Sequence, residues 1–177
     1  MASRLFNAGS PGAKLLASAG VNLQDMLRRN YADFADGEKI ADWTYCVECT
    51  PFITFECNRQ LSVGRSTLRA MAEMHVGWST DDQEGYCHAY TAVNNPHADP
   101  TDDIIVDTTY RQFILPELRD NYPLAFVGSR MAAIAIMQRA GGDNIFEALY
   151  TPETLSTVDT AELTQDFDIP IRLRDAG

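Results

Sequence analysis

GYCHAYTAVNNPHADPTDDIIVDTTYRQF, residues 85–113, is the stretch on which the reading of this chain turns. GYCHAYTAV alternates, so His88 shares one strand face with Tyr86 and Tyr90, while Cys87, Ala89 and Thr91 take the other. NNPHADPTDD carries two prolines and a run of Asn and Asp that cannot hold a ladder, and reads as a loop. DIIVDTTY then reads as a second strand, apolar at Ile104, Ile105 and Val106 and closing on Asp107. Two antiparallel strands joined this way bring His88 and Asp107 onto one sheet, within side-chain reach of each other.

Outward from this hairpin the pattern is mixed. SPGAKLLASAGVNLQDMLRRNYADF, from Ser10, reads as one or two helices, with Ser10 and Pro11 as a helix start. PFITFEC, ending at Cys57, has the β-branched and aromatic content of a strand. LSVGRSTLRAMAEMH, from Leu61 to His75, places Leu61, Leu68, Met71 and Met74 on one side and reads as a helix. LAFVG is a short strand. SRMAAIAIMQRAGG is a helix with Ser129 as N-cap and a terminal glycine pair. IPIRL, near the end, has the character of an edge strand. The expectation is an α+β fold: one domain in which an antiparallel sheet packs against helices. Residues 1–40 form a helical N-terminal part, 50–150 the catalytic core, and 151–177 an acidic tail packing on or extending the sheet.

Composition bounds the function. The chain has 177 residues, is 45% hydrophobic and carries a formal net charge of −11. That acidity leaves no broad cationic surface for phosphates, so nucleic acid is not an expected partner. No apolar run approaches the ~18 residues of a membrane span, so no membrane partner is expected either. A cytoplasmic setting is expected, in which Cys46, Cys49, Cys57 and Cys87 stay as thiols.

Thiol catalysis needs a nucleophile, an imidazole to take its proton and a carboxylate to orient the imidazole. Cys57, His88 and Asp107 supply these groups in that chain order. H-A-Y followed by a strand ending V-D-T-T-Y-R-Q-F resembles the transglutaminase-like and papain-like superfamily. The downstream FVGSR resembles bacterial protein-glutamine deamidase domains. The resemblance spans roughly residues 57–135 and implies acyl transfer at a carboxamide, ester or thioester through a covalent acyl-enzyme. Amidase, deamidase, transamidase and condensing acyltransferase chemistry all fit. Residue spacing in that family puts Ser62 in the nucleophile's place, whereas Cys57 is the better intrinsic nucleophile, so both stand as candidates. His88 is the expected base and Asp107 its orienting acid. Gln60 and the start of the 61–75 helix are expected to serve the oxyanion, and Tyr90 the substrate. The expected partner is a small-molecule, peptide or protein amide or thioester; no cofactor is implied, and the oligomeric state is left open.

The bland alternatives use the same residues. Cys46-x-x-Cys49 has zinc-ligand spacing, but Cys87 and His88 are adjacent in a strand and point to opposite faces, which makes them poor joint ligands. The same pair is weak as a redox motif without a strand before it and a helix opening on it. A catalytically inactive member of the fold would instead be a binding module presenting the acidic loop Pro96–Asp103.

Overall fold

The computed structural model describes residues 4–32, 45–78, 85–94, 99–141, 150 and 171–174. Its helices are α1 (Pro11–Ser18), α2 (Leu23–Ala32), α3 (Cys46–Val63) and α4 (Arg130–Ala140). Its strands are β1 (Arg69–Trp78), β2 (Gly85–Asn94), β3 (Ile104–Asp107), β4 (Phe126–Ser129) and β5 (Ile171–Arg174), in sheet order β4-β3-β2-β1-β5. The first four strands pair antiparallel, and β5 adds to β1 in parallel at the edge. The architecture is α+β, with helices on the sheet's two faces. Among the described residues no helix is long and apolar enough to cross a membrane.

The hairpin expected from residues 85–113 is present. Thr91, Ala92 and Val93 of β2 pair with Val106, Ile105 and Ile104 of β3. The 129–142 helix expectation is met by α4, where Ser129 caps by accepting from the Ala132 N–H. IPIRL contributes β5. Asn95 to Ala98 of the acidic loop lie outside the described residues, and so do residues 151–170 of the tail.

Two segments differ from the sequence reading. PFITFEC is not a strand but the middle of α3. Cys46, Cys49, Thr50, Ile53, Thr54, Cys57 and Leu61 recur at helical spacing and are all buried, so one stripe of small and branched side chains lies on the sheet. The second segment, 61–75, is not one helix. α3 ends at Val63, Gly64 closes it, and Arg65 takes a positive φ of 54° that turns the chain into β1. Ala70 and Ala72 then point into the core as alternate strand residues. His75 is therefore not on a helix end; it pairs across the ladder with His88.

The two sheet faces carry separate cores. On one, α1, α2 and α3 bury Leu16, Met26, Leu27, Ile53 and Leu61 over Ala70, Val93, Ile104 and Val106. At its edge α1 sits almost on the backbone of β4, and a Cβ on Gly12 would meet Gly128 Cα at 3.0 Å. On the other face, α4 covers Tyr90, Ala92, Ile105 and Phe126.

A closed charge network lies under α4. Arg130 Nη2 donates to both Glu73 oxygens at 3.0 and 2.9 Å and to Asp103 Oδ2 at 2.8 Å. Its Nη1 donates to the Tyr150 carbonyl at 3.0 Å and to Tyr90 Oη at 3.3 Å. Tyr90 Oη in turn donates to Glu73 Oε2 at 3.0 Å. Burial opposes the guanidinium's charge, but Tyr90, Glu73 and Asp103 outweigh it and raise its pKa. Asp103, at the end of the acidic loop, is thus a buried structural residue rather than part of a presented surface.

Replacing Arg130 with methionine strands two buried carboxylates. The expected loss is about 3–5 kcal/mol of unfolding free energy at neutral pH. Urea denaturation at neutral pH should show that loss; no measurable loss would show that packing, not charge, is what Arg130 supplies.

Candidate active site

Strand register sets the first two groups of the site. On β2, His88 and Tyr90 share the α4-side face; on β3, Ile105 and Asp107 share it. Asp107 therefore stands diagonal to His88, a separation that long side chains span. His88 Nε2 lies 2.5 Å from Asp107 Oδ2, and both side chains are fully buried.

β3 stops at Asp107, and the turn that follows serves the carboxylate. The Thr109 N–H donates to Asp107 Oδ1 at 2.9 Å, and its hydroxyl approaches the same oxygen at 3.4 Å. Tyr150 Oη donates to Oδ2 at 2.7 Å. Each carboxylate oxygen therefore has two donors, as a buried charge requires. The chain then enters a 3-10 turn, Tyr110–Phe113. Phe113 packs edge-on against the imidazole, with ring centroids 4.6 Å apart. Gln112 brings its Nε2 to 3.3 Å from His88 Nδ1.

The thiol comes from the start of α3. Cys46 is the first residue of that helix, is buried, and lies close enough to His88 to help raise its imidazole. One turn later Cys49 lies beside Thr108, and its burial pushes the thiol up to about 12. The Thr108 carbonyl also accepts from Tyr31 Oη at 2.8 Å. The end of β3, the end of α2 and the first turn of α3 are thus tied at one point. Tyr45, the N-cap of α3, makes no side-chain capping bond.

Burial opposes the charge on His88, but the Asp107 charge and hydrogen bond, with the Cys46 contact added, push the imidazole up to about 10. An imidazolium flanked by a carboxylate and a thiol at a helix start is an arrangement suited to nucleophilic thiol chemistry.

The remaining sequence candidates lie elsewhere. Cys57 is eleven residues along α3 from Cys46, about 16 Å at the helical rise of ~1.5 Å per residue. It packs at 3.7 Å from Met26 Sδ in the other core, and burial pushes its thiol up to about 12. Ser62 is exposed on the last turn of α3, about 24 Å from Cys46 by the same rise. Gln60 accepts from the Asn22 N–H at 2.6 Å and donates to Glu56 at 3.3 Å, joining α2 to α3 far from the imidazole. Tyr90 is committed to Glu73 and Arg130. The geometry brings His88 and Asp107 together and puts Cys46, not Cys57 or Ser62, beside them.

Cys46 was legible in one signal: it opens the buried Cys46-Cys49-Ile53-Cys57 spacing of α3. The C-x-x-C pair does open a helix, contrary to the expectation that it does not. Among the described residues no three His, Cys, Asp or Glu side chains gather as a metal ion would require.

Comparison with protein-family models, with curated proteins and with solved structures finds no match for this chain.

The raised His88 pKa carries a linkage with a definite sign. An imidazole raised from 6.5 to about 10 on folding contributes stability that is complete below pH 6.5 and lost as pH rises towards 10. The unfolding free energy of the wild type, measured relative to His88→Gln, should therefore shrink across that interval. A difference independent of pH would mean that His88 is held neutral.

Proposed function

We propose that this chain is a thiol-dependent acyl-transfer enzyme of transglutaminase-like or papain-like type, working on a carboxamide, ester or thioester with Cys46, His88 and Asp107 as its triad. The observation that carries the reading is the placement of Cys46, the first residue of α3, beside a His88 imidazole whose Nε2 is held by Asp107. A buried histidine–aspartate pair alone would serve structure equally well. A thiol delivered to the free imidazole nitrogen by a helix N-terminus has a chemical rationale that packing does not need.

In this reading the Cys46 sulfur attacks the substrate carbonyl carbon while His88 Nδ1 holds the thiol's proton. An S–C bond forms, and the carbonyl π electrons move onto oxygen. When the tetrahedral intermediate collapses, His88 gives that proton to the departing amine, alcohol or thiol, and a thioester remains on Cys46. Water or an acceptor amine, deprotonated by His88, then attacks the thioester and frees Cys46. Asp107 holds Nε2 and keeps the ring aligned. The first N–H groups of α3, which Tyr45 leaves uncapped, face the developing negative charge.

Limiting iodoacetamide followed by peptide mapping tests the triad. Cys46 is expected to alkylate well ahead of Cys49 and Cys57, whose thiols burial holds near 12. His88→Ala should slow its labelling by about 100-fold or more, the low end of what a positioned base contributes. Equal, slow labelling of all the cysteines, or Cys57 reacting first, would sink the proposal.

A further inference from the structure

The loop after Asp107 holds one polar side chain at the site that the triad does not use. Gln112 sits in the 3-10 turn Tyr110–Phe113, anchored by its own backbone: its N–H donates to the Thr109 carbonyl at 3.1 Å, and its carbonyl accepts from Arg119 Nη2 at 3.1 Å. Arg119 also donates to the Ile114 carbonyl at 3.0 Å, so the turn is clamped on its outer side. Neighbouring Phe113 is pinned against the imidazole face. The half-buried Gln112 side chain consequently has little choice of direction, and its amide nitrogen lies 3.3 Å from His88 Nδ1. Nε2 is taken by Asp107, so Nδ1 is the imidazole nitrogen left to exchange a proton in the proposed reaction.

This position has a chemical meaning. A carbonyl carbon attacked by Cys46 must lie within bonding distance of the sulfur, and its oxygen must find donors about 2.7–3.1 Å away. A primary amide beside Nδ1 borders that same volume. An imidazole raised to about 10 already carries a proton on Nδ1 and does not accept from the Gln112 amide, so that amide keeps its N–H groups for the substrate oxygen. We propose that Gln112 is the side-chain donor of the oxyanion site, binding the carbonyl oxygen of the acyl group together with the backbone N–H groups at the start of α3. The role expected for Gln60 thus passes to a residue on the far side of the hairpin. This assignment rests on the acyl-transfer reading and specifies how that site recognises its substrate: through the carbonyl oxygen of an acyl group.

Two reactions at one sulfur separate the assignment from the reading beneath it. Alkylation of Cys46 by iodoacetamide displaces iodide at a saturated carbon and generates no oxyanion. Acetylation of Cys46 by p-nitrophenyl acetate, followed by p-nitrophenolate release and intact mass, generates one. Gln112→Met, close in shape but without a donor, and Gln112→Glu, which replaces the donor with an acceptor, are compared with the wild type after thermal unfolding confirms that each is folded. Both variants should acetylate about 100–1,000-fold more slowly, the loss typical of one oxyanion donor. Their alkylation rates and the pH profile of alkylation should stay within about twofold. An equal fall in both reactions would overturn the assignment and make Gln112 a prop for the imidazole. Unchanged acetylation would overturn it too, as would a wild type whose Cys46 alkylates but accepts no acetyl group. A wild type whose Cys46 shows no preferential alkylation removes the triad itself, and Gln112 with it.

Discussion

A carboxylate with no access to water fixes much of this molecule. Asp107 is buried, and a buried charge is tolerated only when its lone pairs are met by donors. Four arrive, from three separate parts of the chain: His88 on β2, the backbone and hydroxyl of Thr109 in the next turn, and Tyr150 beyond α4. Each imposes a condition. The His88 bond requires the β2–β3 register that is observed, since a shift of one residue would turn Asp107 to the opposite face. The Thr109 bond requires β3 to end at Asp107 and the chain to turn at once. That turn places Gln112 and Phe113 around the imidazole. The chemistry of the site is thus a consequence of satisfying one oxygen pair.

The helix that supplies the thiol has two tasks at its two ends. From Cys49 to Leu61, α3 is core, laid on the face opposite His88 and Asp107. Only its first turn reaches the end of β3, where that strand has already stopped. The division explains why three cysteines on one helical stripe have different fates. Cys57 meets Met26 in an apolar interior, where a thiol behaves as a small hydrophobe. Cys49 is buried beside Thr108. Cys46, the first residue of the helix, is the one of the three that meets an imidazole.

His88 and Asp107 were legible because their signal is local. Alternation in GYCHAYTAV, a proline-rich loop and an apolar run closing on an acid specify a hairpin with no knowledge of the rest of the chain, and the residues around Ser129 likewise announced a capped helix. α3 was obscured because its local signals oppose its structure. Pro51 lies inside the helix, and Phe52, Ile53, Thr54 and Phe55 favour strands. Burial of the 46-49-53-57-61 stripe on the sheet overrides both. The 61–75 segment failed in the opposite sense, because alanine and methionine favour helices while Ala70 and Ala72 are needed as small residues beneath α3. Misreading α3 put Cys57 forward as the candidate thiol, whereas the fold sets Cys46 beside His88. Tyr150 and Gln112 lie outside any periodic pattern, and only tertiary structure could reveal their partners.

The Arg130 network gives the site its rigidity from behind. Arg130 holds the Tyr150 carbonyl, while the hydroxyl of the same residue holds Asp107. It also fixes Tyr90 through Glu73, and the Tyr90 ring packs 5.0 Å from that of Tyr150 and 5.8 Å from His88. The guanidinium is thus linked to Asp107 through Tyr150 and to the surroundings of His88 through Tyr90, and it constrains where both stand. A hydrophobic replacement of matched volume could fill that space, but it would leave the Tyr150 hydroxyl free to choose another direction. Burying three carboxylates, one guanidinium and one imidazole on a single sheet face costs desolvation that an apolar core would avoid. What that arrangement provides is direction: each charge has one geometry in which its partners are met, and that geometry holds His88 beside Cys46.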